Sequence, residues 1–231
     1  MAYQVEADFK RNRLLFTVLE NITKKNLDRF YTELRFCVCD LSPNFDVVAD
    51  FSKCSLMYLD STGTLNSVMR YLVAKRIREK VRVVSDNLFC KQLKNFTSRE
   101  RIYEPTYVTS VQEAEHHLEN NQRRNGLRIY LKERTAQCLV DSTEIRGRIV
   151  NMSISGCSME HRGEQLPLTG EGALLSFALR EGDSIEQGFR IRSEIVRSEK
   201  GMIAMKFLDL DEDRKDTLWN CLLNEAGISP V

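Results

Sequence analysis

Arg123-Arg124-Asn125-Gly126-Leu127-Arg128, followed after one strand-like stretch by Asn151-Met152-Ser153-Ile154-Ser155-Gly156, are the two segments on which the reading of this chain turns. A guanidinium can grip a phosphate with two parallel N–H bonds, address the O6 and N7 edge of guanine in the same forked way, and lie flat on a purine face. One short arginine-rich segment can therefore meet every part of a phosphate-bearing guanine ligand. Asn151 adds an amide, Ser153 a hydroxyl and Gly156 an absent side chain, a set that suits hydrogen bonding to a base edge with close backbone approach. Each residue also has a plainer reading. The arginines are equally a solvated basic cluster, and Asn151, Ser153 and Gly156 equally the residues of an ordinary turn with a bulge.

Taken together, Arg-x-x-x-Arg at Arg124 and Arg128, with Arg123 before it, and Asn-x-Ser-x-x-Gly at Asn151, Ser153 and Gly156 resemble the PilZ domain. That family comprises bacterial receptors for cyclic di-GMP built on a small six-stranded antiparallel β-barrel. The resemblance spans residues 121–231 and includes late strands. Apolar residues alternate in Ile191-Arg192-Ser193-Glu194-Ile195-Val196-Arg197, Glu199-Lys200-Gly201 supplies a turn, and Met202-Ile203-Ala204-Met205-Lys206-Phe207 returns as the second arm of a hairpin. The resemblance implies that Arg123, Arg124 and Arg128 hold phosphates and guanine faces or edges, that Asn151 and Ser153 address a guanine edge, and that Gly156 keeps the space open. Position 151 is Asn where many members carry Asp, so no negative charge faces the guanine N–H donors. Charge-assisted bonds contribute about 1.5–3 kcal/mol against about 1 kcal/mol for neutral ones, which lowers the expected affinity.

With 231 residues the chain is long enough for two modest cores, and at 42% hydrophobic and 29% charged it is too apolar for disorder. A net charge of +1 gives no general attraction to a nucleic acid polymer or an anionic membrane, so the local arginines matter more than the total. No apolar run approaches a bilayer span and no signal-peptide pattern opens the chain, so a cytoplasmic protein without membrane insertion is expected. The seven cysteines follow no metal-ligand spacing and read as reduced. Most are small core residues, and Cys37-x-Cys39 reads as one face of a strand. His116 and His117 are neighbours on a helix, and His161 stands in a turn-like Glu160-His161-Arg162-Gly163 segment. Neither a metal site nor an acid–base pair emerges, so no enzyme, no metal and no cofactor is expected.

The first half alternates strand and helix patterns. Tyr3 to Val18 reads as two strands, and Lys24 to Leu34 as a helix capped by Thr23. Phe45 to Phe51 is a buried strand, and Leu56-Met57-Tyr58-Leu59 is a strand leading into Asp60-Ser61-Thr62-Gly63. Leu65, Val68, Met69, Leu72 and Ile77 follow at helical spacing. Val81 to Val84 is a strand, Leu88 to Phe96 a helix, and Ser110 opens a capped helix. Lys75, Arg76, Arg78 and Lys80 offer a partner-binding patch but read first as cations at a solvated helix end. This rhythm implies an α/β layer structure with a largely parallel sheet. On Asp60-Ser61-Thr62-Gly63 and Ser110-Val111-Gln112-Glu113-Ala114 the segment resembles a STAS domain, the fold of bacterial anti-sigma factor antagonists. In such antagonists the serine after the aspartate is phosphorylated by a partner kinase, which makes Ser61 a candidate phosphosite; the same residues also suit a plain helix start.

The expected fold is therefore a two-domain α+β chain. Residues 1–120 form a STAS-like α/β sheet with helices, and residues 121–231 a PilZ-like six-stranded antiparallel barrel with a terminal amphipathic helix carrying Leu218, Trp219, Leu222 and Leu223. The expected function is a cyclic di-GMP receptor and adaptor whose STAS-like domain contacts an unidentified protein partner. The competing expectation is an antagonist-type interaction protein switched at Ser61, its barrel not binding nucleotide.

Overall fold

The computed structural model describes residues 3–121, 126–162, 167–182, 185–199 and 201–229. The chain divides into two compact units between Leu127 and Arg128.

The first unit holds β1 (Tyr3–Asp8), β2 (Arg13–Val18), α1 (Lys24–Cys39), β3 (Asp46–Asp50), α2 (Thr62–Ala74), β4 (Glu79–Val83), α3 (Leu88–Glu100), β5 (Thr106–Val108) and α4 (Val111–Asn120). The strands lie in the order β1-β2-β3-β4-β5, with an antiparallel β1–β2 hairpin and parallel pairing thereafter. Every residue of β4 is buried, as expected of a parallel strand covered on both faces. On one face Val48, Val81 and Val83 pack against Ala114 and Leu118 of α4. On the other, Phe16 meets Phe30 of α1, and Arg82 reaches Met69 of α2 and Thr97 of α3. Helix starts follow local chemistry: Thr23, Asn87 and Ser110 each accept the backbone N–H three residues on, satisfying donors that a helix leaves unpaired.

Three expectations are corrected here. Cys37 and Cys39 do not share a strand; α1 runs on to Cys39 because Val38 continues the buried stripe of Leu27, Phe30 and Leu34. Leu56 to Leu59 is no strand either. Only Met57 bridges to Ile22, and a 3-10 turn, Leu59–Ser61, leads into α2. Nor is Lys80 a solvated cation. It lies in β4 at 2% exposure with its ammonium over the Phe16 ring, and burial, reinforced by the Arg82 charge, pushes its pKa well down. Arg78 pairs with Asp46 at the start of β3. Sequence position alone could not separate the end of α2 at Ala74 from the strand that begins five residues later at Glu79.

The second unit is a closed antiparallel barrel of β6 (Ile129–Val140), β7 (Thr143–Ser153), β8 (Gly156–His161), β9 (Gly172–Arg180), β10 (Glu186–Glu199) and β11 (Met202–Phe207), ordered β10-β11-β8-β7-β6-β9. Closure leaves no free sheet edge. The β10–β11 hairpin forms as the alternation implies, with Glu199 opposite Met202 and Gly201 at φ +82° in the turn. The last helix, α5 (Glu212–Glu225), is capped by Asp211 and lies against β6, β7 and β9, burying Leu218, Trp219, Leu222 and Leu223. Glu225 at its end accepts from the Arg180 backbone at 2.7 Å and pairs with Arg134 at 2.7 Å. His161 is corrected as well. It ends β8 at 4% exposure instead of standing in a turn, and neither ring nitrogen has a hydrogen-bond partner among the described residues.

All seven cysteines are free thiols, five of them buried. Burial pushes Cys54 and Cys157 up to about 12 and Cys138 and Cys221 up to about 11. Thiolate, not thiol, attacks disulfide reagents. At pH 8, an aromatic disulfide reagent is expected to label Cys39 rapidly and these four only after denaturant is added. Rapid labelling of the four in the native protein would contradict the packing described above.

Candidate functional site

The site is made by two irregularities in strand pairing. On β7 the inward residues are Ile145, Gly147 and Ile149, and an unbroken alternation would send Asn151 and Ser153 into the core as well. The register between β7 and β8 shifts between Ile149 and Asn151, one extra residue being accommodated on β7. After this bulge Met152 and Ile154 point inward, fully buried, and Asn151 and Ser153 turn to the outer face. A bulge re-aims side chains in this way, and it does so here within one residue of the motif. A second shift, between Tyr130 and Arg134 of β6, has Glu133 in left-handed backbone at φ +56°. It lets Ile129 face inward opposite Met152 while Tyr130 stands opposite Asn151 on the outside.

Two rows of outward residues then cross four neighbouring strands. Tyr130, Asn151, Ser158 and Ala204 form one, each opposite the next. Ser153, Gly156 and Lys206 form the other, with Arg128 continuing it one residue before β6 begins. Arg128 and Asn151, 23 residues apart in the sequence, meet directly: the guanidinium Nη1 donates to Asn151 Oδ1 at 3.4 Å and to Ser158 Oγ at 3.2 Å. Both Arg128 and Asn151 are half-buried, so each keeps a face toward solvent.

Ser153 and Gly156 have positions that serve the turn itself. The Ser153 hydroxyl, at 2% exposure, accepts the Ser155 N–H at 3.3 Å, lies 3.1 Å from Ser155 Oγ and donates to the Gly156 carbonyl at 3.3 Å. The Phe207 N–H then ties the turn to β11 through the Ser155 carbonyl at 2.9 Å. A Cβ on Gly156 would stand 2.3 Å from the Met205 carbonyl oxygen, so glycine is required for β8 and β11 to approach. Arg123 and Arg124 lie outside the described residues.

Two residues of the ledge escaped the reading of the sequence. Ser158 could have been found by stepping two residues from Gly156 along the same strand, which returns to the same face. Lys206 sits at an outward position of a hairpin arm, and it makes no ion pair with any described residue, whereas Arg134, Arg146, Arg148 and Arg192 each pair with a carboxylate. A broad groove of about 1100 Å³ crosses the barrel elsewhere, around Thr135, Arg146, Arg148, Glu160 and Ser176. It is larger than many ligand sites, yet it contains none of the motif residues and its two β7 arginines are neutralised by Glu144 and Glu160.

In the first unit, Ser61 is wholly enclosed at 0% exposure. Its hydroxyl lies 3.3 Å from both the Ile22 carbonyl and Asp60 Oδ1, and it does not cap α2. A kinase could reach it only after the turn opened. Among the described residues no group of three or more His, Cys, Asp or Glu is placed to hold a metal ion, and no helix is long and apolar enough to cross a membrane.

A closed six-stranded antiparallel barrel with a terminal helix carries the arginine, asparagine and serine cluster on its outer ledge. Residues 122–224 match the model of the PilZ domain family, and the C-terminal half of this chain is a PilZ domain. No curated protein matches. Among solved structures, the PilZ domain of YcgR from Escherichia coli, solved with c-di-GMP, is 16% identical over 46% of this chain and 95% of that one, at a TM-score of 0.37. The inhibitor of motility MotI/DgrA of Bacillus subtilis is 20% identical over 46% of this chain and 53% of that one, at 0.39. The unphosphorylated anti-sigma factor antagonist SpoIIAA is 13% identical over 52% of this chain and 99% of that one, at 0.37, on the N-terminal part.

Proposed function

We propose that the barrel receives cyclic di-GMP on the ledge formed by β6, β7, β8 and β11, and that the STAS-like unit of residues 1–120 engages a protein partner, making the chain a nucleotide-responsive adaptor. The observation that carries the reading is the meeting of Arg128 with Asn151 on the solvent side of the barrel, beside the Ser153 to Gly156 turn. Arg128 supplies a charge-assisted fork for a phosphate or a guanine edge. Asn151 supplies an amide with both donor and acceptor, matched to a guanine edge. Arg123 and Arg124 precede this corner closely enough in sequence to add charge to a dianionic ligand. Nothing in the proposal asks the residues to break a bond: the nucleotide is a signal, recovered intact.

Isothermal titration with cyclic di-GMP gives affinity and stoichiometry together, with cyclic di-AMP as the control for guanine recognition. Saturable binding of the guanine nucleotide, at least tenfold tighter than the adenine one, is the expected result. No binding, or equal binding of both, would reject the reading. The buried hydroxyl of Ser61 weighs against the phosphorylation-switched alternative.

Lys206 gives a further check. It is exposed, lies opposite Gly156 on β11, and makes no ion pair with any described residue. Lys206→Ala should weaken cyclic di-GMP binding roughly threefold to tenfold at low salt, and by less at 1 M salt, where the screening length falls to about 3 Å. An unchanged affinity at low salt would remove Lys206 from the site.

A further inference from the structure

We infer that Ser158 is a positioning residue of the ligand site: its buried hydroxyl holds the Arg128 guanidinium over Asn151 before any ligand arrives. The effect on affinity rests on the cyclic di-GMP reading above; the positioning itself does not.

The geometry is specific. Asn151 and Ser158 are direct cross-strand neighbours on β7 and β8, and the same nitrogen of Arg128 donates to both. The bond to Ser158, at 3.2 Å, is the shorter of the two. A 3.4 Å contact is long for an N–H···O bond, so the serine supplies the better-formed anchor. Ser158 is only 5% exposed, which keeps competing water away from its oxygen. Its other neighbour across the sheet is Ala204, too small and apolar to draw the hydroxyl elsewhere. Burying a hydroxyl without a partner is costly, so the serine is itself stabilised by the contact it makes.

The consequence follows from the freedom of arginine. A long side chain that is mobile in the free protein must be immobilised when the ligand binds, and that ordering subtracts from affinity. Fixed in advance by Ser158, the Arg128 guanidinium is held at a set angle beside the Asn151 amide. Ser158 need not touch the ligand to strengthen its binding.

A double-mutant cycle separates this role from a merely structural one. Ser158→Ala should weaken cyclic di-GMP binding about fivefold to tenfold in the wild-type background and less than twofold in the Arg128→Ala background, because the serine acts through the arginine. Ser158→Thr, which keeps the hydroxyl, should retain most of the affinity. In the ligand-free protein, the heteronuclear NOE of the Arg128 Nε–H group should be high and fall in Ser158→Ala. Additive losses in the cycle, an unchanged affinity in Ser158→Ala, or an unchanged NOE would each overturn the inference. A wild-type protein that fails to bind nucleotide, yet loses Arg128 order in Ser158→Ala, would sink the ligand reading and leave the positioning contact standing.

Discussion

Arg128→Ala is expected to weaken cyclic di-GMP binding about 50-fold or more, the equivalent of ~2–3 kcal/mol, while the barrel unfolds at nearly the same urea concentration. The size follows from the kind of bond lost. A guanidinium facing a phosphate or a guanine edge makes charge-assisted bonds, roughly twice as strong as neutral ones, in a half-buried setting where water screens them incompletely. Stability moves little because Asn151, left behind, is itself half-buried and can hydrate, and the space vacated by the guanidinium lets water reach the Ser158 hydroxyl that it had bonded. Trp219 makes the second half of this statement measurable. It is the only tryptophan of the chain and lies buried in α5 against the barrel, so its fluorescence reports the unfolding of that unit. Arg128→Lys should fall between the two, keeping charge but losing the planar fork. The same argument from the sequence expects Arg124→Ala to weaken binding by a few kcal/mol without unfolding the domain. Unchanged affinity in both alanine variants would reject the assignment of these arginines to the ligand.

The parts of this fold that could be read from the sequence are those governed by local periodicity. The spacing of Leu27, Phe30 and Leu34 gives α1, the alternation around Ile191 to Phe207 gives a hairpin, and Asp211 before Glu212 gives the start of α5. What could not be read depends on non-local pairing. Nothing in the order Arg146-Gly147-Arg148-Ile149-Val150-Asn151 announces a bulge, yet that bulge alone puts Asn151 on the outer face instead of in the core. Lys80 shows the same limit: a lysine inside a charged stretch reads as solvated, and only the placement of β4 between two covered faces buries it. For the site, the residue types in the two motifs were enough to name Arg128 and Asn151, whereas their contact required the strands to close. Ser158 and Lys206 carry no motif of their own and emerge only from register.

Gly156 is where motif and packing compete for one residue, and the two accounts predict different measurements. If the glycine serves only to leave room for a ligand, Gly156→Ala should spoil binding and spare the fold. The barrel says otherwise: an added Cβ would meet the Met205 carbonyl oxygen at 2.3 Å, with Lys206 Cα at 3.3 Å behind it. Both obstacles are backbone, so no side-chain rotation relieves them, and β8 must part from β11 at a point where the Phe207 N–H secures the turn. Overpacking of this kind costs roughly 3 kcal/mol, the upper part of the usual range, because the clash falls on a hydrogen-bonded ladder. Gly147→Ala is the matched control. Its Cβ would lie 2.3 Å from the Glu160 carbonyl oxygen, an equal obstruction, but in the middle of β7 opposite His161, at the end of β8 away from the ledge. Both variants should therefore lower the urea midpoint of Trp219 fluorescence by a similar amount, and only Gly156→Ala should also weaken nucleotide binding under conditions where each is folded. A Gly156→Ala protein as stable as the wild type would mean that the strands do not approach as closely as β8 and β11 do here, and the glycine would return to the ligand.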